Sequence, residues 1–353
     1  MRRLLSLATC ALLALSSSAT MGCSLPKILA KGQMRTTRQV GAALDTVGDF
    51  EVAKAAAFAG IAQFEGVRRL VPEDENTLFL LTKAWGGGTF AYIEDEIELA
   101  VERGDEAGRA VAIERACNAY DRGKGYAYEL LSLRDAAFAD HVKTDAALQK
   151  SLDENFKDPT GAEHVFWSAY AMLNRQSLCA PAESLTAAAR LMMAHVDKVR
   201  PDYKDHAARL TEGALMSRTE VEAACFDPKD PTKCGERAKA ARKIFDDVKA
   251  DTNGRSLVVP LNLAARYACR IGDKELFESS LREVLCRDLD GYPREFADDM
   301  DREAEGCPEM AKVKREVGAP PSELRLTNAI AQRRARRYLS SKRLQDTTLG
   351  CSF

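Results

Sequence analysis

Apolar and polar residues follow one another along this chain with the period of an α-helix. From Thr37 to about Leu344 the sequence is rich in Ala, Leu, Glu, Lys and Arg and shows little period-two alternation. That pattern predicts helix after helix and no sheet. The runs break at helix punctuation: VPEDEN (71–76), ERGDE (102–106), KDPTG (157–161), VRPDY (199–203), FDPKDPTKCG (226–235), DTNG (251–254), IGD (271–273) and GAPPS (318–322). The expected fold class is all-α.

Neighbouring helices read as stacked antiparallel pairs. In LNLAARYACRIGDKELFESSLREVL (261–285) one helix ends at Gly272, which tolerates the left-handed closing conformation. Asp273 then caps the next helix, with Glu275 in its positively polarised first turn. Ala264, Ala265 and Ala268 allow close approach, and Leu276, Phe277, Leu281 and Val284 supply the packing face. GVRRLVPEDEN and HVDKVRPDYKD share a junction grammar: a basic helix end, a proline, then acidic residues opening the next helix. This is the grammar of tetratricopeptide (TPR)-like arrays, but no clean 34-residue period is visible, so the expected array is degenerate.

Two charged stretches stand out. YIEDEIELAVERGDE (92–106) carries its apolar stripe on Ile93, Ile97 and Ala100, so most of its carboxylates are expected on a solvated face. In the last helix Leu324, Thr327, Asn328, Ala331, Ala335, Tyr338 and Leu339 form one stripe, with Arg333, Arg336 and Arg337 on the other side. Those arginines crowd the helix C-terminus, where the dipole favours them, and a solvated face is again expected. An acidic partner, or the inner face of an oligomer, is the alternative. Asn328 on the packing stripe needs partners for its amide, and a neighbouring helix end would supply them.

Composition narrows the class. The chain has 353 residues with 46% hydrophobic, enough for a large core. Its 51 Lys+Arg stand against 53 Asp+Glu, which gives no electrostatic reason to expect nucleic acid. The first residues have a targeting layout: Met1-Arg2-Arg3, the apolar run LLSLATCALLAL (4–15), then small residues. The apolar run is shorter than the ~20 residues of a membrane-spanning helix. SATMGCSL (18–25) then resembles a lipobox, with Gly22 apt and Thr20 imperfect, so Cys23 is the expected lipidation site. The resulting division is a signal peptide over 1–22, a linker after the anchor over 23–36, a helical TPR-like domain over 37–345 and a polar tail over 346–353. Ser24 after the cysteine carries no inner-membrane Asp signal, so attachment to the periplasmic side of a Gram-negative outer membrane is expected, with the lipid as the only membrane contact.

Ten cysteines occur, and removing Cys10 and Cys23 leaves eight, an even number suited to disulfides in an oxidising compartment. Cys225–Cys234 would staple the proline-containing loop and Cys286–Cys307 would cross the 288–320 connection. Cys117, Cys179, Cys269 and Cys351 remain unassigned.

Catalytic templates are absent. His141, His164, His195 and His206 are the only histidines and none sits in HExxH; there is no GxSxG, Walker loop or CxxC. No enzyme, metal or cofactor is expected. Trp85-Gly86-Gly87-Gly88-Thr89-Phe90-Ala91 contains a loose GxGxxA, but Asn76 as N-cap of a helix from Thr77 argues against the strand a dinucleotide site requires. Close packing or a cavity wall explains the glycines better, which makes Trp85, Gly87 and Gly88 candidate ligand or partner residues. EHVFWSAYAML (163–173) reads mainly as core, with Trp167 a candidate for the same surface.

CGERAKAARKIFDDV (234–248), LAARYACRIGDKELFESSLREVL (263–285) and PSELRLTNAIAQRRARRYL (321–339) resemble the T component of TRAP transporters, the TatT-like family, as does FEGVRRLVPEDENTLFLLTKAWGGGTFAYIEDE (64–96). The resemblance implies an exported, usually lipid-anchored helical protein that self-associates, with a trimer suspected. It implies association with a periplasmic TRAP solute-binding protein, no catalysis, and room for a small organic or apolar ligand. A general TPR-like lipoprotein scaffold for envelope assembly is the alternative. The cysteines, the long 288–320 insertion and the polar tail depart from the family pattern.

Overall fold

The structure, a computed structural model, describes residues 25–179, 185–217, 230, 233–296, 299–307, 309, 322–340 and 351. Helices follow in order: α1 (Leu25–Val40), α2 (Phe50–Leu70), α3 (Glu75–Gly88), α4 (Glu94–Arg103), α5 (Glu106–Ser132), α6 (Asp145–Asn155) and α7 (Pro159–Leu178). After these come α8 (Thr186–Val199), α9 (Ala207–Met216), α10 (Glu236–Asp251), α11 (Val258–Asn262), α12 (Lys274–Leu285), α13 (Asp299–Ala304) and α14 (Arg325–Tyr338). Among the described residues the extended pairing is a single bridge, Arg287 to Pro293. The fold is all-α.

Aspartate begins several of these helices for one electrostatic reason. The side chains of Asp49, Asp74, Asp105, Asp158 and Asp273 each accept a backbone N–H of the first turn, where the amides lack intrahelical partners. Asp74 caps α3, so Asn76 lies within the first turn and is not the cap. Gly104 and Gly272 close their helices at φ of 69° and 78°, where a side chain would be strained. Residues 25–36, expected as linker, instead belong to α1, which buries Ala30 and Met34.

The α3 helix is the centre of the N-terminal half and packs on α2, α5 and α7. Glycine makes this possible. A Cβ on Gly86 would lie 3.2 Å from the Ala171 Cβ of α7, and one on Gly123 of α5 would lie 3.2 Å from the Trp85 Cβ. The largest core joins α5 to α8 through Leu131, Phe138, Leu152, Phe156, Val165, Met172 and Val196. In the C-terminal half α9 packs on α10, while α12 and α14 enclose Leu257, Ala264, Ala268, Phe277, Leu281, Ala331 and Ala335.

Only Gly272 and Asp273 separate the helical stretch ending at Ile271 from α12, so these two run antiparallel. Helix lengths vary from 5 residues in α11 to 27 in α5, and no common repeat length emerges. Disulfides join Cys117 to Cys179, Cys269 to Cys351 and Cys286 to Cys307, with Cα separations of 5.7, 4.4 and 5.6 Å. Cys225 lies outside the described residues, as does Cys23; Cys234 is disulfide-bonded. Among the described residues no helix is long and apolar enough to cross a membrane.

Candidate ligand cavity

A cavity of about 1870 Å³, partly open to solvent, lies between the two halves of the fold. That exceeds the ~300–1,000 Å³ usual for small-molecule sites. Its wall is drawn from α1, α2, α3, α4, α7, α11 and α14 together with the 200–205 connection.

Two π-helical segments line it. Thr89–Ile93 joins α3 to α4 without a break, and Leu263–Ala268 continues α11. A π segment inserts an extra residue and displaces the side chains that follow, a device often found at functional sites. Phe90, Ala91 and Tyr92 reach the cavity from the first, and Ala265 and Arg266 from the second.

The glycine tract divides its duties. Gly86 is buried against α7, whereas Gly87 and Gly88 line the cavity. A Cβ on Gly87 would meet the Trp167 ring at 3.1 Å. Trp167 also lines the cavity and donates its indole N–H to the Tyr203 hydroxyl at 3.0 Å. Trp85 points elsewhere: its indole donates to Glu65 at 2.8 Å, and Arg122 and Tyr126 bond the same carboxylate. Burial pushes the Glu65 pKa up, but those hydrogen bonds outweigh it and leave the group below its ordinary value. The structure therefore brings Gly87, Gly88 and Trp167 together and leaves Trp85 on another face. The tract is helix interior, so no strand-to-helix phosphate turn exists there.

Ion pairs close one wall. The acidic α4 and the basic α14 were each expected to face solvent; instead they pair with each other. Asp95, only 2% exposed, accepts from Arg333 Nε at 2.9 Å and from Arg337 Nη2 at 2.5 Å. Glu98 accepts from Arg337 Nη1 at 3.0 Å and from the Tyr338 hydroxyl at 2.9 Å. Arg334 donates to the Phe90 carbonyl at 2.7 Å and lies over the Phe90 ring at 4.1 Å. Burial opposes the Arg334 charge, but Glu98, Tyr338 and Glu94 beside it keep its pKa above the ordinary arginine value. Burial also raises Glu94, against the pull of Arg334 and of the Tyr120 hydroxyl, which donates to it at 2.5 Å. Only Arg336 of this basic group is exposed. Both readings placed the charges on correct helices but could not see that the helices meet.

Asn328 is fully buried and ties three backbone segments together. Its Oδ1 accepts from Leu257 N at 2.9 Å, and its Nδ2 donates to the Arg255 and Leu289 carbonyls at 3.1 and 2.9 Å. Leu257 is the residue before α11, so the amide satisfies a helix start and holds α14 in the cavity wall.

The family model of the TRAP transporter T-component matches residues 47–296. The chain belongs to that family. No curated protein matches the sequence. The matched span carries α2 through α12, hence most of the cavity wall, and ends before α14. This T-component thus closes its cavity with a helix outside the family match, clamped to α4 inside it. Among the described residues no group of three or more His, Cys, Asp or Glu side chains could hold a metal ion. Sequence reasoning missed Lys83 and Lys204, both of which line the cavity. Lys83 was visible as the lone charge in the apolar run LFLLTKAW.

Proposed function

We propose that this T-component is a non-catalytic, exported and lipid-anchored accessory protein of a TRAP system, which holds a small organic ligand in its central cavity for a periplasmic solute-binding protein. The observation that carries the reading is the cavity itself, large, lined by apolar and aromatic side chains interspersed with charged ones, and formed mostly by the segment that the family match covers. Lipidation at Cys23 rests on the lipobox resemblance and would hold the cavity close to the outer membrane. Self-association, with a trimer expected from the family, would align several cavities.

Affinity purification from detergent-solubilised envelopes, followed by mass spectrometry, tests the partner. Recovery of a TRAP solute-binding protein in stoichiometric amount is expected. Recovery of envelope-assembly machinery in its place would favour the general scaffold instead. Intact mass of the mature N-terminus tests the anchor, and light scattering in detergent tests the oligomer.

A further inference from the structure

We propose that the cavity binds an anionic amphiphile, with the acidic head group on the Lys83 ammonium and the apolar tail along the aromatic wall. The proposal rests on the ligand-holding reading above and adds the chemistry of the ligand.

Lys83 projects from α3 one turn before Gly87 and lines the cavity. It forms a long ion pair with Asp45 at 3.8 Å, beyond hydrogen-bond distance. Asp45 is already taken by Lys204, whose Nζ donates to it at 2.6 Å. Two cations thus share one carboxylate, and Lys204 holds the closer place. The other neighbouring cations are engaged: Arg38 and Arg200 both bond Glu163, at 3.0 and 2.5 Å. The Trp167 ring lies 5.3 Å from the Lys83 ammonium and shields one side of it without supplying an acceptor.

The loop that brings Lys204 to Asp45 is strained. Lys204, Asp205 and His206 have φ of 50°, 56° and 62° in succession, and none is glycine. Left-handed backbone costs such residues roughly 1–2 kcal/mol each. Strain of this kind gathers where geometry serves a site. Here the loop sets Lys204 against Asp45 at 2.6 Å, so Lys83 keeps only the longer contact to that carboxylate. Burial accordingly pushes the Lys83 pKa down, with Lys204 adding to the fall and Asp45 only partly opposing it. A ligand carboxylate or phosphate would supply an acceptor at hydrogen-bond distance, which Asp45 does not. Phe79, Phe90, Ile97, Leu261 and Ile330 line the same cavity and provide the apolar surface for a tail.

The test is calorimetric titration of the full mature protein with decanoate, decyl phosphate, 1-decanol and succinate. At least tenfold tighter binding of decanoate or decyl phosphate than of decanol is expected, and the better of the two identifies the head group. Lys83→Met should bring the anion and the alcohol within twofold of each other, while Lys83→Arg should retain the preference; circular dichroism checks that both variants fold. Equal binding of anion and alcohol, or a preference that survives Lys83→Met, would overturn the anion site and leave the cavity reading standing. Succinate binding as tightly as decanoate would overturn the amphiphile. Failure of every probe would remove both the head-group assignment and the ligand-holding reading.

Discussion

The pairing of α4 with α14 makes a quantitative demand on stability. In Asp95→Ala the carboxylate that accepts from Arg333 and Arg337 disappears, while Arg337 remains 6% exposed. Arg333 is half-buried and can turn toward water, so its loss is small. Arg337 keeps Glu98 at 3.0 Å and Glu102 at 3.8 Å, which softens the penalty without cancelling it. Breaking a buried pair by removing one partner costs about 3–5 kcal/mol, and the remaining acidic neighbours place this variant near the lower end, about 3 kcal/mol. The loss should be local, because α14 is the element being held. Hydrogen exchange of amides 325–338 should accelerate by roughly 150-fold, the equivalent of that free energy, while the α5–α8 core is unchanged. Arg336→Ala, exposed on the same helix, should change exchange by less than about threefold. The double variant Asp95→Leu/Arg337→Met should recover most of the protection, since no lone buried charge remains. If Asp95→Ala behaved like Arg336→Ala, the charges would be solvated after all and the clamp would not exist.

Other consequences are as direct. Gly86→Val places two methyl groups where a Cβ alone already meets Ala171 at 3.2 Å, and a lowered urea midpoint equivalent to about 2–3 kcal/mol is expected. Asn328→Ala strands the Leu257 N–H and the Arg255 and Leu289 carbonyls, and should cost about 3 kcal/mol by the same measurement. Burial, reinforced by the Arg38 and Arg134 charges, lowers His164 to about 3. Below pH 6.5 the unfolded chain therefore gains a proton that the native protein refuses, so stability falls as pH drops from 6.5 toward 3. Between pH 6.5 and 5 the fall should reach about 2 kcal/mol, and urea midpoints of His164→Gln should lose most of it.

Helix boundaries were legible because they are local chemistry: Asp273 capping α12 and Gly272 closing the helix before it act within one turn. Asp74 against Asn76 shows the limit of that legibility, since two polar residues two positions apart compete for one cap and the geometry of the entering chain selects between them. Gly87 and Gly88 could be singled out as sites of close approach because glycine in a helix is costly without a reason. That Trp167 would be the neighbour of Gly87 could not be read, for the two lie on different helices.

The sequence by itself determined the helical period, most helix boundaries, the family and the absence of familiar catalytic templates, because these depend on residues within a few positions of one another or on a motif as a whole. Tertiary structure alone decided which charges are buried and which side chains share a cavity. Asp95 and Arg337 are 242 residues apart, and each taken alone is an ordinary polar residue on an amphipathic helix. Only their meeting in a site nearly closed to water, where an unpaired charge costs several kcal/mol, turns two apparently solvated faces into a clamp. Lys83 is the converse. In the sequence it is one lysine among many, and the fold makes it distinctive by setting Lys204 closer to the Asp45 carboxylate that the two share.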